Sequence, residues 1–113
     1  MDPVSALIVN KALDGLSARA MSTAHNIANA GAPNFRMIRV AFEDALQSAS
    51  RSGASAIRSV QPRVEQAELR PGEEVRLDLE LATATEISLR YAALVNLLNR
   101  QMQITRSAIR GGQ

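Results

Sequence analysis

Two segments of the chain repeat apolar or small residues at alternating spacings of three and four. The first spans residues 3–30 and the second spans residues 78–110. A 3.5-residue repeat is typical of a helix that winds around a partner, so both segments are predicted to form long helices. The residues expected to pack between them are Leu13, Leu16, Ile27, Leu81, Leu94, Val95, Leu97, Leu98, Met102 and Ile109.

The ends of both segments carry residues that usually begin or stop a helix. Asp2 can cap the first helix, and Pro3 suits the first helical position, where its missing N–H is no loss. Gly31 is expected to adopt the left-handed conformation that follows a helix, and Pro33 prevents the helix from continuing. Asp78 is the predicted N-cap of the second helix.

The connector between the helices, residues 31–76, has weak periodicity. A short helix is expected within residues 39–49, and residues 48–59, rich in Ser, Ala, Gly and Arg, are expected to be flexible. Pro71 and Gly72 predict a type II turn. The predicted fold is therefore all-α: a single domain over residues 1–113. Its long N- and C-terminal helices pair as an antiparallel coiled coil, and the connector is partly irregular.

The composition favours closely packed helices and argues against a nucleic-acid partner. Hydrophobic residues make up 46% of the chain but aromatic residues only 3%, so the core must be built from small and aliphatic side chains. No cysteine is present, which excludes disulfides and cysteine-based metal sites. The 13 basic and 11 acidic residues are intermingled, whereas a nucleic-acid binder clusters its basic residues on one face.

No catalytic, cofactor or metal site is predicted. His25 is the one histidine and has no second ligand at a metal-binding spacing. The sequence contains neither a glycine-rich phosphate loop nor a nucleophile elbow. We therefore expect no enzyme activity, no cofactor and no small-molecule substrate. We also expect no cleaved signal peptide and no membrane-spanning segment, since the start lacks a basic and apolar leader and no apolar run is long enough.

The residues alone leave two functions open. The two apolar seams favour a protein that acts by helical self-association. The alternative is a soluble helical-hairpin interaction module, such as an export chaperone or a nucleoid-associated protein.

The end of the first helix and parts of the second resemble one known family. The string Asn-Ile-Ala-Asn-Ala at residues 26–30, followed by a proline and an aromatic residue, resembles the signature of the bacterial flagellar axial proteins. These are the rod, hook and hook-filament junction subunits. The resemblance covers roughly residues 6–46 and 75–112. Its main positions are Asn26, Ile27, Ala28, Asn29, Ala30, Pro33, Phe35, Phe42, Glu80, Arg90 and Tyr91.

The resemblance implies a structural subunit of the flagellar basal body. Such a subunit is exported unfolded through the flagellum's own type III apparatus, without a cleaved signal, and joins a periplasmic tube. The short connector leaves no room for the large outer domains of hook and distal-rod subunits, which favours the proximal rod of the motor drive shaft. The expected partners are copies of itself, other rod proteins, and export-gate and adaptor proteins.

Overall fold

The protein is described by a computed structural model that covers residues 1–67 and 73–111. Helical residues make up 71% of the described residues, which confirms the prediction that the protein is mostly helical. The all-α class is wrong, because two short strands pair into a sheet. The elements, in chain order, are α1 (Pro3–Ala28), β1 (Ile38–Ala41), α2 (Glu43–Ser50), α3 (Ala54–Ser59), β2 (Arg63–Gln66) and α4 (Leu77–Gly111).

The two long helices begin in different ways. Asp2 caps α1 as predicted, since its Oδ1 accepts a hydrogen bond of 2.7 Å from the backbone N–H of Ser5. Asp78 is not the cap of α4, because the helix already begins at Leu77. Its carboxylate instead accepts two hydrogen bonds from the Arg76 guanidinium, at 3.0 and 2.7 Å, and these bonds lower the pKa of Asp78.

The first helix ends two residues earlier than predicted. Asn29 is its C-cap, and both the backbone and the side-chain N–H groups of Asn29 donate to the carbonyl oxygen of His25. The left-handed conformation predicted for Gly31 is wrong. The capping by Asn29 already closes the helix, and the residue with positive φ in this turn is Asn34, at 60°.

The helices α1 and α4 pack antiparallel, as predicted. At one end the amino terminus of Met1 donates to Gln101 Oε1 at 2.7 Å. At the other end Asn26 Nδ2 donates to Glu80 Oε2 at 3.2 Å. The helices have 26 and 35 residues, so α4 continues beyond Met1 through residues 102–111. The result is an elongated molecule of 66 × 28 × 13 Å.

The face of α4 that packs against α1 agrees only in part with the predicted packing residues. Glu80 and Ile87 are buried on α4, and Leu94 packs against the core. The observed face differs because Ile87 and Leu94 pack on apolar residues that the connector adds to the core. Among the ten predicted packing residues, Leu16 is buried, Leu13, Ile27, Leu94, Val95 and Leu98 are half-buried, and Leu81, Leu97, Met102 and Ile109 are exposed.

The described part of the connector, residues 31–67 and 73–76, contains two strands and two short helices. The strands β1 and β2 pair antiparallel, with Val40 opposite Val64, and α2 begins only after β1 ends. Residues 48–59 were predicted to be flexible, and that prediction is wrong: α3 forms within them because the side chain of Ile57 is fully buried in the core. The turn predicted at Pro71 and Gly72 lies outside the described residues.

The contact between α1 and the start of α2 depends on Gly15. A Cβ atom at this position would lie 2.5 Å from three ring carbons of the buried Phe42. We expect Gly15→Ala to lower the free energy of unfolding by about 1–3 kcal/mol through overpacking, although alanine favours the helix by up to about 1 kcal/mol. Urea unfolding measures the difference.

The matched control for Gly15 is Gly31→Ala. No heavy atom lies within 4 Å of a Cβ built at Gly31, and its φ is not positive. This substitution should be neutral or slightly stabilising, by about 0.4–1 kcal/mol at most. Unchanged stability in Gly15→Ala would contradict the close approach of Phe42.

Candidate functional site

Asn26, the first residue of the family-like string, is fully buried between α1 and β1. Its Oδ1 accepts from the backbone N–H of Ile38 at 2.9 Å, and its Nδ2 donates to the Ile38 carbonyl at 2.9 Å. The Ala67 N–H donates to the Met37 carbonyl, which places the polar groups of Ile38 on the side of β1 away from β2. The side-chain amide of Asn26 therefore makes the two hydrogen bonds to Ile38 that the backbone of a neighbouring strand would make.

Glu80 completes a buried polar cluster with Asn26 and Arg39. Its side chain is 2% exposed, and Oε2 accepts from Asn26 Nδ2. Oε1 lies 2.7 Å from Nη1 of Arg39, whose side chain is half exposed on β1. Burying an unpaired carboxylate is costly, so both partners are needed to hold Glu80 at this depth. We call Asn26, Arg39 and Glu80 the polar anchor.

The polar anchor joins three elements that are distant in sequence. Asn26 lies on α1, Arg39 on β1 and Glu80 on α4, and Asn26 and Glu80 are 54 positions apart. Within the described residues no buried side-chain N or O atom lacks a hydrogen bond. A satisfied polar cluster of this kind fixes the register of the elements it connects. The arrangement therefore positions α4 along α1.

A second polar contact, made by Arg19, links α1 to the start of α2. The Arg19 guanidinium donates to Glu43 Oε2 at 2.8 Å and to the Val40 carbonyl at 3.0 Å. Its central carbon also lies 4.8 Å from the centre of the Phe42 ring, at cation–π distance. Phe42 was a predicted site residue, and Arg19 supplies the contacts that hold it against α1.

The carboxyl group of Glu43 gives the chain a specific pH dependence. Hydrogen bonds from Arg19 lower its pKa below the ordinary value of 4.5. A lowered folded-state pKa means that this stabilisation is present above about pH 4.5 and is lost as the pH falls through the folded-state pKa. The pair is partly exposed, so we expect a loss of less than about 1 kcal/mol.

Urea unfolding at neutral and acid pH, compared between the wild type and Glu43→Gln, tests this dependence. The wild type should lose more stability on acidification than the variant does. Asp2 and Asp78 also have lowered pKa values, but the wild type and the Glu43→Gln variant both contain them. The difference between the two losses of stability therefore reports on Glu43. Identical losses in the two proteins would contradict the role of the Arg19 contact.

The other family-like positions lie outside the polar anchor. His25 and Phe35 rings are 5.4 Å apart, so Phe35 folds back on the end of α1. Arg90 lies 3.6 Å from Glu86 on the surface of α4. The remaining positions line the end of α1 or the surface of α4: Ile27 and Ala30 are half-buried, and Ala28, Pro33 and Tyr91 are exposed.

Exposed apolar residues lie on both flanks of the α4 face that packs on α1. One flank carries Leu81, Met102 and Ile109, each more than half exposed. The other carries Leu97 and Ile104, at 39% and 54% exposure and seven residues apart, on one helical face. Large exposed apolar patches mark surfaces that bind other proteins, so α4 is the candidate assembly surface.

Within residues 1–67 and 73–111, no group of three or more His, Cys, Asp or Glu side chains is placed to hold a metal ion. In the same part of the chain, no helix combines the length and apolar character needed to cross a membrane.

No known protein-family model matches this chain, and no curated protein is significantly similar to it in sequence.

Proposed function

We propose that this chain is a structural subunit of the bacterial flagellar basal body that assembles with neighbouring subunits into the proximal rod. The observation that supports this most is the apolar surface of α4. Leu97 and Ile104 on one flank, and Met102 and Ile109 on the other, are exposed beside a helix pair that can bury only one face. Packing against neighbouring subunits would bury both flanks.

The energetics of burial favour assembly. Removing apolar surface from water contributes about 25 cal/mol per Å², and a wholly buried Leu, Ile or Met contributes about 1.5–3 kcal/mol. Several such side chains on each copy supply a substantial driving force. If the two contacting surfaces differ, each added copy leaves a new free surface, and the assembly grows as an open filament or tube.

The polar anchor suits such a subunit. An assembly through helix faces requires that each copy present its helices in the same register, because a shift of α4 along α1 would displace every exposed contact. Asn26 and Glu80 link the helices at one end, and Met1 and Gln101 link them at the other. Asn26 and Glu80 both belong to the family-like positions. In this proposal, the resemblance at these two positions reflects their role in holding the helices in register.

In this proposal the chain acts outside the cytoplasm, in the periplasmic rod. It would leave the cell unfolded through the flagellar type III apparatus. Its contacts would be with copies of itself, with other rod proteins, and with export-gate and adaptor proteins at the base. No catalysis, cofactor or nucleic acid is part of the role.

Deletion of the gene in the bacterium that encodes it tests the proposal. The deletion strain should be non-motile and lack rods, and a plasmid copy of the wild type should restore both. Normal swimming of the deletion strain would contradict the proposal. A chain that stays in the cytoplasm, bound to DNA or to an export substrate, would instead favour the soluble interaction module.

A further inference from the structure

The C-terminal part of α4 projects from one end of the molecule. The amino group of Met1 meets Gln101, so α1 accompanies α4 only to about this point. Every residue from 102 to 111 is exposed, although all of them belong to the helix. We call residues 97–111 the tip of α4.

Apolar side chains cover one side of the tip. At about 100° per residue, its apolar and small side chains fall within an arc of about 160°. They are Leu97, Leu98, Met102, Ile104, Ala108 and Ile109. Gln101 and Thr105 also lie in this arc, and its most exposed apolar members are Ile104 and Ile109, at 54% and 62%. An apolar stripe of this width is typical of an amphipathic helix.

Three arginines occupy the other side of the tip. Arg100 and Arg106 lie about 40° outside the two margins of the apolar arc, and Arg110 lies between them. No acidic residue follows Glu86 in the sequence, so residues 87–113 contain four arginines and no carboxylate side chain. The rest of the chain holds the other nine basic residues and all eleven acidic ones. Positive charge is therefore concentrated at this end of α4.

The arginines of the tip have no carboxylate partner. Within residues 1–67 and 73–111, Arg100, Arg106 and Arg110 make no ion pair and no side-chain hydrogen bond. Five other arginines lie within ion-pair distance of a carboxylate: Arg19, Arg39, Arg63, Arg76 and Arg90. The helix dipole favours a basic residue in the last turn, which accounts for Arg110 but not for Arg100, about three turns earlier.

We propose that the tip of α4 binds the surface of an anionic lipid bilayer. A helix with an apolar face and a basic face lies in the membrane interface, with its apolar side chains immersed and its cations among the lipid phosphates. Arg100 and Arg106 suit this arrangement, because an arginine at the margin of an apolar face can lay its stem along that face and keep its guanidinium in the headgroups. This inference goes beyond the proposed function and does not rest on it.

The start of α1 adds apolar surface at the same end of the molecule. Met1 and Val4 are 46% and 39% exposed, and Met102 borders Met1 in a shallow cleft. The acidic residue at this end is Asp2, whose carboxylate is already bonded to Ser5 at the start of α1. Because the molecule is 66 Å long, an end-on approach lets the tip enter the interface while the connector stays in water. In an assembled rod the same side chains would face neighbouring subunits, so the bilayer contact belongs to the free chain.

A nucleic acid suits the tip less well than lipid does. Proteins that bind single strands stack the bases on aromatic side chains, and residues 97–111 contain none. Beside a phosphate backbone the side chains of Ile104 and Ile109 would remain in water, whereas a bilayer removes them from water. Duplex DNA is therefore the competing ligand in the experiment.

Vesicle flotation with the purified full-length chain tests the proposal, since it separates lipid-bound chains from aggregates. The chain should float with vesicles of phosphatidylcholine and phosphatidylglycerol, and it should not float with phosphatidylcholine alone. Raising the ionic strength from about 0.1 M to about 1 M should weaken the binding, because the Debye length falls from about 10 Å to about 3 Å. No flotation with the anionic vesicles, or equal flotation with both kinds, would overturn the proposal.

Charge reversal on the tip tests the basic face. Arg106→Glu combined with Arg110→Glu should lower the affinity for anionic vesicles by at least about tenfold. The control combines Arg36→Glu with Arg63→Glu, which changes the net charge equally but near the sheet, and it should weaken binding far less. Equal losses in the two double variants would mean that net charge, and not the tip, determines binding.

A polar substitution tests the apolar face. Ile104→Asp should abolish flotation, while Val64→Asp, at a residue 58% exposed on β2, should leave it unchanged. Circular dichroism should show the same helix content in both variants and in the wild type. If Ile104→Asp still floats, and duplex DNA strips the wild-type chain from the vesicles, the tip is a nucleic-acid surface and the membrane proposal falls.

The result is independent of the rod proposal. A wild-type chain that binds anionic vesicles but is absent from basal bodies would support the membrane contact and contradict the rod. A chain that is recovered in basal bodies but does not bind vesicles would do the reverse.

Discussion

Replacing Asn26 by alanine is expected to lower the free energy of unfolding by about 3–5 kcal/mol. The substitution removes both hydrogen bonds to the backbone of Ile38 and the bond to Glu80 Oε2. Each buried polar group left without a partner costs about 1–3 kcal/mol. Glu80 would keep only Arg39, so its buried carboxylate would lose part of its compensation.

Urea unfolding followed by circular dichroism measures the effect of Asn26→Ala. The control is Asn29→Ala, whose side-chain amide donates to the carbonyl of His25 at the exposed end of α1. Losing one exposed hydrogen bond should cost no more than about 0.5–1.5 kcal/mol. Similar losses for the two variants would mean that the polar anchor does not hold α4 in register.

Replacing Leu97 by aspartate is expected to abolish swimming while leaving the isolated chain folded. Leu97 is 39% exposed on a flank of α4, so the charge can remain hydrated in the single chain. In an assembled rod the same residue would lie in a subunit contact. Burying an unpaired carboxylate there costs several kcal/mol, which is enough to exclude the copy from the assembly.

Motility and recovery of basal bodies test this prediction in cells that carry the variant as their sole copy. Synthesis and export of the chain should stay intact, so a defect can be assigned to incorporation. Ser55→Asp, an exposed change on α3, introduces the same charge and should leave swimming unchanged. Wild-type swimming with Leu97→Asp would show that this flank of α4 makes no contact with another subunit.

The long helices were predictable because their signals are local. A 3.5-residue repeat, an aspartate cap and a proline at the start define α1 without any knowledge of its partner. The packing face of α4 was not predictable in the same way. Apolar residues cover much of its circumference, so several seams fit the sequence. The choice depends on Ile87 and Leu94 meeting core residues from the connector.

The strands and short helices of the connector were not predictable from its composition, because they depend on distant contacts. The four-residue strands β1 and β2 have too little alternation to be recognised, and each needs the other. The helix α3 lies in a stretch of Ser, Ala, Gly and Arg and is held by one buried side chain, that of Ile57. Composition alone could not show that this side chain reaches the core.

The polar anchor was found only in part. Asn26 and Glu80 were singled out by their resemblance to family positions, and nothing in their spacing showed that they touch across 54 positions. Arg39 was missed, because its role requires that β1 pass beside α4. A buried asparagine that pairs with a strand backbone leaves no periodic signal in the sequence.

The most direct test of the central claim is to locate the chain in purified basal bodies by cryo-electron microscopy, with an epitope tag as a marker. The proposal predicts density for the antiparallel helix pair in the rod, close to its base, with neighbouring copies against the flanks of α4. Basal bodies from motile cells that contain no copy of this chain would contradict the proposal.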